Sequence, residues 1–210
     1  MKRGRFITLE GGEGAGKSTQ SRRLASWLRG RDIDVVETRE PGGAPGADAI
    51  RALLVTGETG RWTPPAEALL HYAARAEHLA RKILPALDAG QWVLCDRFAD
   101  STMAYQGYGH ELGRAPIEAL EEWVVGASGR PDLTLIFDIA PEAGLARAGR
   151  RGGAEDRYER MDIAFHARLR DGFLDIARRE PERCVVLDAG QPEAEVAARA
   201  VEAVAGRLFR

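Results

Sequence analysis

Five short runs of β-branched and apolar residues punctuate the chain, and longer stretches with helical spacing lie between them. Arg5–Glu10 (RFITLE), Ile33–Thr38 (IDVVET), Gln91–Asp96 (QWVLCD), Asp132–Asp138 (DLTLIFD) and Arg183–Asp188 (RCVVLD) read as strands. They are apolar on both faces, as strands covered by helices on each side must be. Helical patterns fall at about 17–30, 45–55, 64–89, 115–127, 141–150, 157–180 and 192–208. This alternation predicts an α/β fold built on a parallel sheet with right-handed crossovers. No internal repeat and no linker divides the chain, so a single domain over residues 1–210 is expected. Two segments break the regularity. Glu40–Gly46 (EPGGAPG) is too rich in Gly and Pro for a helix and reads as a shaped loop. Gly149–Asp156 (GRRGGAED) is a Gly- and charge-rich insert, either a solvated connection or a mobile lid.

Charge narrows the choice of partners. The 30 basic and 32 acidic residues nearly cancel, so no global field points to nucleic acid or to an anionic membrane. A phosphate site must come from locally clustered arginines, since Lys2, Lys17 and Lys82 are the only lysines. Cys95 and Cys184 sit in apolar runs without ligand spacing and read as buried reduced thiols. The N-terminus enters a strand-like run at once, which fits no secretory signal. No stretch approaches the roughly 20 apolar residues of a membrane span. A cytoplasmic protein without nucleic-acid or membrane partners is the expectation.

Gly11-Gly12-Glu13-Gly14-Ala15-Gly16-Lys17-Ser18 matches G-x-x-x-x-G-K-[ST] between a strand and a helix, the context that a phosphate-binding loop requires. Glycines let the backbone wrap closely around phosphate oxygens. Successive N–H groups and the helix N-terminus then face the anion. Gly11, Gly12, Glu13, Gly14, Ala15, Gly16, Lys17, Ser18 and Thr19 are therefore the candidate ATP-binding set. Lys17 reaches toward the β- and γ-phosphates, facing solvent and phosphate rather than core, and Ser18 offers its hydroxyl to Mg²⁺. The N-K-x-D motif of GTPases is absent. Arg39 and Arg97 each follow a parallel strand, at the sheet edge where open α/β folds bind ligands. Guanidinium forks there suit a second phosphate dianion. Asp96 and Asp138 both close apolar strands, and the sequence alone leaves both as candidate metal-side carboxylates.

Three further segments carry a family resemblance: Arg39-Glu40-Pro41-Gly42-Gly43; Asp96-Arg97-Phe98 with Ser101-Thr102 and Ala104-Tyr105-Gln106-Gly107; and Leu69-Leu70-His71-Tyr72-Ala73-Ala74-Arg75. With the phosphate loop they resemble the bacterial-type thymidylate kinases, from Ile7 through Asp188–Pro192. The resemblance implies a P-loop kinase fold with strand order 2-3-1-4-5, the reaction of ATP with dTMP, Mg²⁺ as cofactor, and a homodimer. It further implies that Arg97 binds the acceptor phosphate and assists transfer, while Arg39 and Pro41 shape that pocket. Asp96 acts through the metal shell with Ser18, in preference to Asp138. His71 and Arg75, one helical turn apart, take the stacking and base-edge roles, although Phe is expected at position 71. The Arg75 charge and burial would keep His71 neutral, with dTMP affinity weakening below about pH 6. Ser101 and Gln106 complete the nucleoside pocket, and Glu13 reads the 3′-hydroxyl. One subclass of the family carries Arg where this chain has Gly14. Here the catalytic cation is expected from a lid at about 147–157, among Arg147, Arg150, Arg151 and Arg157, with Arg151 the first choice and Arg150 the alternate.

Overall fold

The computed structural model describes residues 3–151 and 156–209. Its strands are β1 (Phe6–Glu10), β2 (Val35–Arg39), β3 (Trp92–Asp96), β4 (Leu133–Asp138) and β5 (Cys184–Asp188), all parallel, in the order β2-β3-β1-β4-β5. The helices are α1 (Lys17–Arg29), α2 (Pro45–Leu54), α3 (Pro64–His78), α4 (Leu84–Asp88), α5 (Ala99–Thr102), α6 (Arg114–Val124), α7 (Pro141–Arg151), α8 (Ile163–Arg179) and α9 (Glu193–Leu208). The expected sheet order is the observed one.

The strand alternation explains the two cores. Phe6, Val93, Cys95 and Ile136 point to one face, against Tyr72 of α3, Ile117 of α6 and Phe165, Leu169 and Phe173 of α8. Ile7, Leu9, Leu94, Leu135 and Phe137 point to the other, against Leu24 and Leu28 of α1 and Val196 and Val204 of α9. Successive side chains on a strand face opposite ways, so the central strands are apolar on both faces apart from their terminal acidic residues and the buried Thr8–Thr134 pair, whose hydroxyls lie 2.7 Å apart. Cys95 and Cys184 are buried free thiols within this framework.

Three boundaries differ from the sequence expectation. The 64–89 pattern is interrupted at Leu79–Ile83 by a wide, π-type stretch in which Leu84 N–H reaches back to the Leu79 carbonyl. Pro85 has no N–H to give the next helical bond, which favours a local change of pitch there. A helical segment not expected at all runs through α5 into a second π-type stretch, Met103–Gly109. Residues 99–107 are buried all round, so they carry no amphipathic period to read. Finally, α8 starts at Ile163 rather than at 157, because Asp162 caps it by accepting from Phe165 N–H at 2.7 Å.

Candidate active site

The C-terminal edge of the sheet ends in Glu10, Arg39, Asp96, Asp138 and Asp188, one from each strand. Above it lies a cavity of about 530 Å³. Glu13–Thr19 line one side, and Arg39, Pro41, His71, Arg75, Arg97, Ser101 and Gln106 line the other. Asp96 borders both halves. Gly11 and Gly12 do not line it; they wall a smaller cleft behind the loop, with Asp138 and His166.

Within the loop, Lys17 departs from its expected solvent-facing pose. It is buried, and its Nζ donates to the carbonyls of Gly11 (3.0 Å) and Gly12 (2.8 Å). The loop carbonyls give the ammonium the partners that burial otherwise removes. Burial, then the Arg97 charge, lowers its pKa to about 8 against the pull of Asp96, Glu13 and Glu10. Ser18 Oγ donates to Asp96 Oδ2 at 2.5 Å. Asp138 is instead held by both forks of Arg170, at 2.7 and 2.8 Å. Gly14 (φ +66) packs so tightly on α7 that a Cβ would stand 2.0 Å from the Gly144 carbonyl oxygen; a Cβ on Gly144 would meet the Glu13 carbonyl at 2.4 Å.

On the acceptor side, Arg97 has left-handed backbone (φ 70). Its Nη1 donates to the Gly11 carbonyl (2.9 Å) and its Nη2 to Glu13 Oε1 (2.9 Å). Tyr105 donates its hydroxyl to the same Glu13 oxygen at 2.6 Å. Burial works against the Glu13 anion, but Arg97, Lys17 and that hydroxyl hold its pKa down to about 2. Ser101 Oγ donates to Glu10 Oε2 at 2.5 Å.

Arg75 is fully buried and largely committed to protein: Nε donates to Glu40 Oε2 (2.9 Å), and Nη2 donates to the Phe98 carbonyl and Thr102 Oγ1 (both 3.0 Å). His78 faces the other Glu40 oxygen through Nδ1 at 3.0 Å and Thr38 Oγ1 through Nε2 at 2.7 Å. Arg75 Nη1 is buried and lacks a partner among the described residues. Gln106 is similar. Its Nε2 donates to Glu67 Oε1 at 2.8 Å, and its buried Oε1 has no partner among the described residues. One donor and one acceptor are thus left beside the cavity, the complement of a flat base carrying both. His71 Nε2 lies 2.9 Å from the Tyr158 hydroxyl. Burial first, with help from Arg75 and Arg157 and against Glu67 and Glu40, lowers its pKa to about 4. The expected direction holds, but the pH window moves well below 6. Tyr72 faces away, its hydroxyl on the Ile117 carbonyl. Arg39 lines the cavity, exposed, and makes no ion pair among the described residues.

The expected lid cations do not behave alike. Arg157 is fully buried, donates to the carbonyls of Leu54 (3.1 Å), Glu58 (3.0 Å) and Thr59 (2.9 Å), and ion-pairs with Glu67. It is a tie between segments, not a mobile charge. Arg147 donates to the Ala189 carbonyl at 2.8 Å, in the loop expected on the adenine side. Arg150 is exposed on α7, its Nε on the Ala146 carbonyl. The Arg151 side chain lies outside the described residues. Glu10, Glu40, Glu67 and Tyr158 had no role assigned from sequence. Glu10 carried a signal as a carboxylate closing a largely apolar strand, and Glu40 one as a member of the Arg39–Gly43 motif.

Among the described residues, no group of three or more His, Cys, Asp and Glu could hold a metal ion, and no helix is long and apolar enough to cross a membrane. The family model described as Thymidylate kinase matches residues 9–200. The chain is 57% identical over 208 residues to a thymidylate kinase of Caulobacter vibrioides, covering 99% of each chain. It is 52% identical over 210 residues to that of Alkalilimnicola ehrlichii, covering 100% of this chain and 96% of the relative. A crystal structure of thymidylate kinase from Ehrlichia chaffeensis superposes with a TM-score of 0.77 at 35% identity, covering 96% of this chain and 99% of the other.

Proposed function

We infer the roles in this site from one premise: the chain belongs to the thymidylate kinase family and phosphorylates dTMP to dTDP with ATP. The observation that carries the assignment is the single cavity with the phosphate loop on one wall and Arg39, His71, Arg75 and Gln106 on the other. Such a cavity can hold two phosphate esters in line. An oxygen of the dTMP phosphate attacks the γ-phosphorus, and the bond to the ADP oxygen breaks. The acceptor is already anionic, so no general base is required. The protein contributes positioning and charge.

Lys17 moves from its loop carbonyls to the β- and γ-phosphates, and the N–H groups of Gly14–Thr19 cradle them. Arg97, between the walls, binds the acceptor phosphate and meets the charge of the transferring group; Arg39 supports it. Glu13 accepts from the 3′-hydroxyl while keeping Arg97 in place. The unpartnered Arg75 Nη1 donates to a thymine carbonyl, Gln106 Oε1 accepts from the ring N–H, and neutral His71 stacks on the base. Ser18 and Asp96 would hold Mg²⁺: a hydroxyl and a carboxylate 2.5 Å apart suit a hard cation that keeps its waters and takes phosphate oxygens. When bound, the ion neutralises charge on the β- and γ-oxygens. A further cation is assigned, on sequence grounds, to Arg151 with Arg150 as alternate; the kcat values of the two Ala variants separate them. Steady-state ADP release with dTMP, dUMP, dCMP, dGMP and AMP tests the whole reading. The expected result is preference for dTMP; equal turnover with AMP would sink the base-pocket assignment.

We assign the chain to the cytoplasm, in keeping with its two free thiols, and to a homodimer. Leu69 of α3 (55% exposed) and Trp123 of α6 (81% exposed) are apolar surface on neighbouring helices. Sedimentation of Trp123→Glu as a monomer beside a dimeric parent is the expected outcome; two monomers would refute the dimer.

A further inference from the structure

Glu10 is the last residue of β1, and its side chain is entirely buried beneath the cavity. Both of its carboxyl oxygens are used on the segment that follows Arg97. Oε1 accepts from the Phe98 backbone N–H at 2.7 Å, and Oε2 accepts from Ser101 Oγ at 2.5 Å. Arg97 itself stands in left-handed backbone, which a residue with a Cβ holds only when its surroundings over-determine it. Other ties reach the same backbone: Cys95 Sγ donates to the Arg97 carbonyl and Arg75 Nη2 to the Phe98 carbonyl, both at 3.0 Å. Arg97 N–H donates to the Leu9 carbonyl at 3.0 Å, and the next amide is the one that Glu10 takes. At the other end of the side chain, Nη1 lies 3.3 Å from Ser101 Oγ, the hydroxyl that Glu10 also takes.

We propose that Glu10 is the positioning residue for Arg97: one carboxyl pins the backbone just beyond it and the hydroxyl beside its guanidinium. The proposal rests on the reading that Arg97 assists transfer. What matters in Glu10 is reach, a planar group long enough to span Phe98 N–H and Ser101 Oγ together. Burial and the nearby Asp100 raise its pKa to about 8, against the Ser101 and Phe98 hydrogen bonds and Arg97, so the amide of glutamine is a close mimic of the group as it stands. Glutamine offers an acceptor to the Phe98 N–H, and its amide N–H donates to the Ser101 oxygen once that hydroxyl turns its own proton away, reversing the direction of the bond to Oε2. Aspartate keeps the carboxyl but is one methylene short of making both contacts.

Glu10→Asp, Glu10→Gln, Arg97→Ala and the Glu10→Asp/Arg97→Ala double variant test this, with kcat, both KM values and melting temperature measured for each. Glu10→Asp is expected to lower kcat about 10²-fold, as small misplacements of a catalytic group do, with the KM for ATP little changed and that for dTMP raised, since Arg97 also holds the acceptor phosphate. Glu10→Gln is expected to restore kcat to within about threefold of the parent. In the Arg97→Ala background, Glu10→Asp should cost little more, because its effect runs through the missing guanidinium. If Glu10→Asp keeps kcat and Glu10→Gln loses it, charge matters and the proposal fails. If both variants lower only the melting temperature, Glu10 is a packing residue and the proposal fails. Should Glu10→Asp not fold, the Gln variant decides alone: a loss in kcat beyond about tenfold overturns the proposal. Parent-like kcat in Arg97→Ala would instead overturn the reading of Arg97, a different failure with its own signature.

Discussion

Removing the Arg157 guanidinium should unfold this protein more readily and leave the chemistry alone. Arg157 satisfies three backbone carbonyls, one on the last residue of α2 and two in the stretch after it, and pairs with Glu67; both side chains are almost wholly inaccessible. Taking away one partner of such a pair typically costs about 3–5 kcal/mol. An independent figure comes from Glu67. Burial would raise its pKa, but a hydrogen bond from His110, the charge of His71, and the charge and hydrogen bond of Arg157 bring it from 4.5 down to about 2. His71 is uncharged near neutrality, so Arg157 is the permanent cation among them. A depression of that size corresponds to about 3 kcal/mol in all, of which Arg157 supplies a part beside His110 and His71. For a chain of this length, Arg157→Met should then lower the melting temperature by about 6–20 °C. The pH dependence carries a sign. A carboxyl with a depressed folded pKa stabilises fully above its unfolded value and loses that contribution as pH falls through the folded one. The stability gap between parent and Arg157→Met should therefore be full at neutral pH and narrow from about 4.5 toward 2. Urea unfolding across that range is the assay, with kcat measured on the folded fraction. A gap that ignores pH, or one under about 1 kcal/mol, refutes the argument. So does a 10²–10³-fold loss of kcat at unchanged stability, the behaviour of a cation on the transferring phosphoryl group.

Lys17→Met should abolish turnover at little cost in melting temperature. In the parent, kcat/KM for ATP should fall above about pH 8 as the ammonium is lost; activity still rising at pH 9 would contradict this. His71→Ala should raise the KM for dTMP several-fold with that for ATP unchanged, in line with about 1–3 kcal/mol for a stacked base. With the imidazole pKa near 4, the parent KM for dTMP should stay flat down to about pH 5, and a rise already at pH 6 would show a differently placed ring. Glu13→Gln should reduce discrimination between dTMP and its 3′-deoxy analogue; an unchanged ratio would remove Glu13 from the sugar contact.

The sheet was legible because each strand is a run apolar on both faces, and the phosphate loop because its glycines and Lys17 occupy fixed spacings. The helical segment at Ala99–Gly109 was not, since a segment buried on all sides loses the period that betrays a helix. The site was legible as a set of residues but not as a set of bonds. Nothing near Arg75 in sequence reveals that Glu40, 35 residues away, together with Phe98 and Thr102, leaves only its Nη1 without a partner among the described residues. Arg157 misled for a related reason. Beside a Gly-rich charged segment it reads as a lid charge, and its true partners are carbonyls about 100 residues upstream. Ion pairs formed across the fold have no local signature.

The contact between Gly14 and Gly144 bears on how this chain could change over generations. Any side chain at position 14 must start inside the space of a helix backbone, 2.0 Å from a carbonyl oxygen, at a φ that L-residues rarely adopt. A mutation that placed arginine there would have to push α7 off the loop before the new charge could be of use. The same helix carries Arg147, already tied to the Ala189 carbonyl, and leads on to Arg150. Acquiring a cation in the loop thus means first disturbing the helix that carries Arg147 and Arg150. With glycine at both positions, a single substitution to arginine at position 14 meets the α7 backbone, so a change in α7 has to come with it.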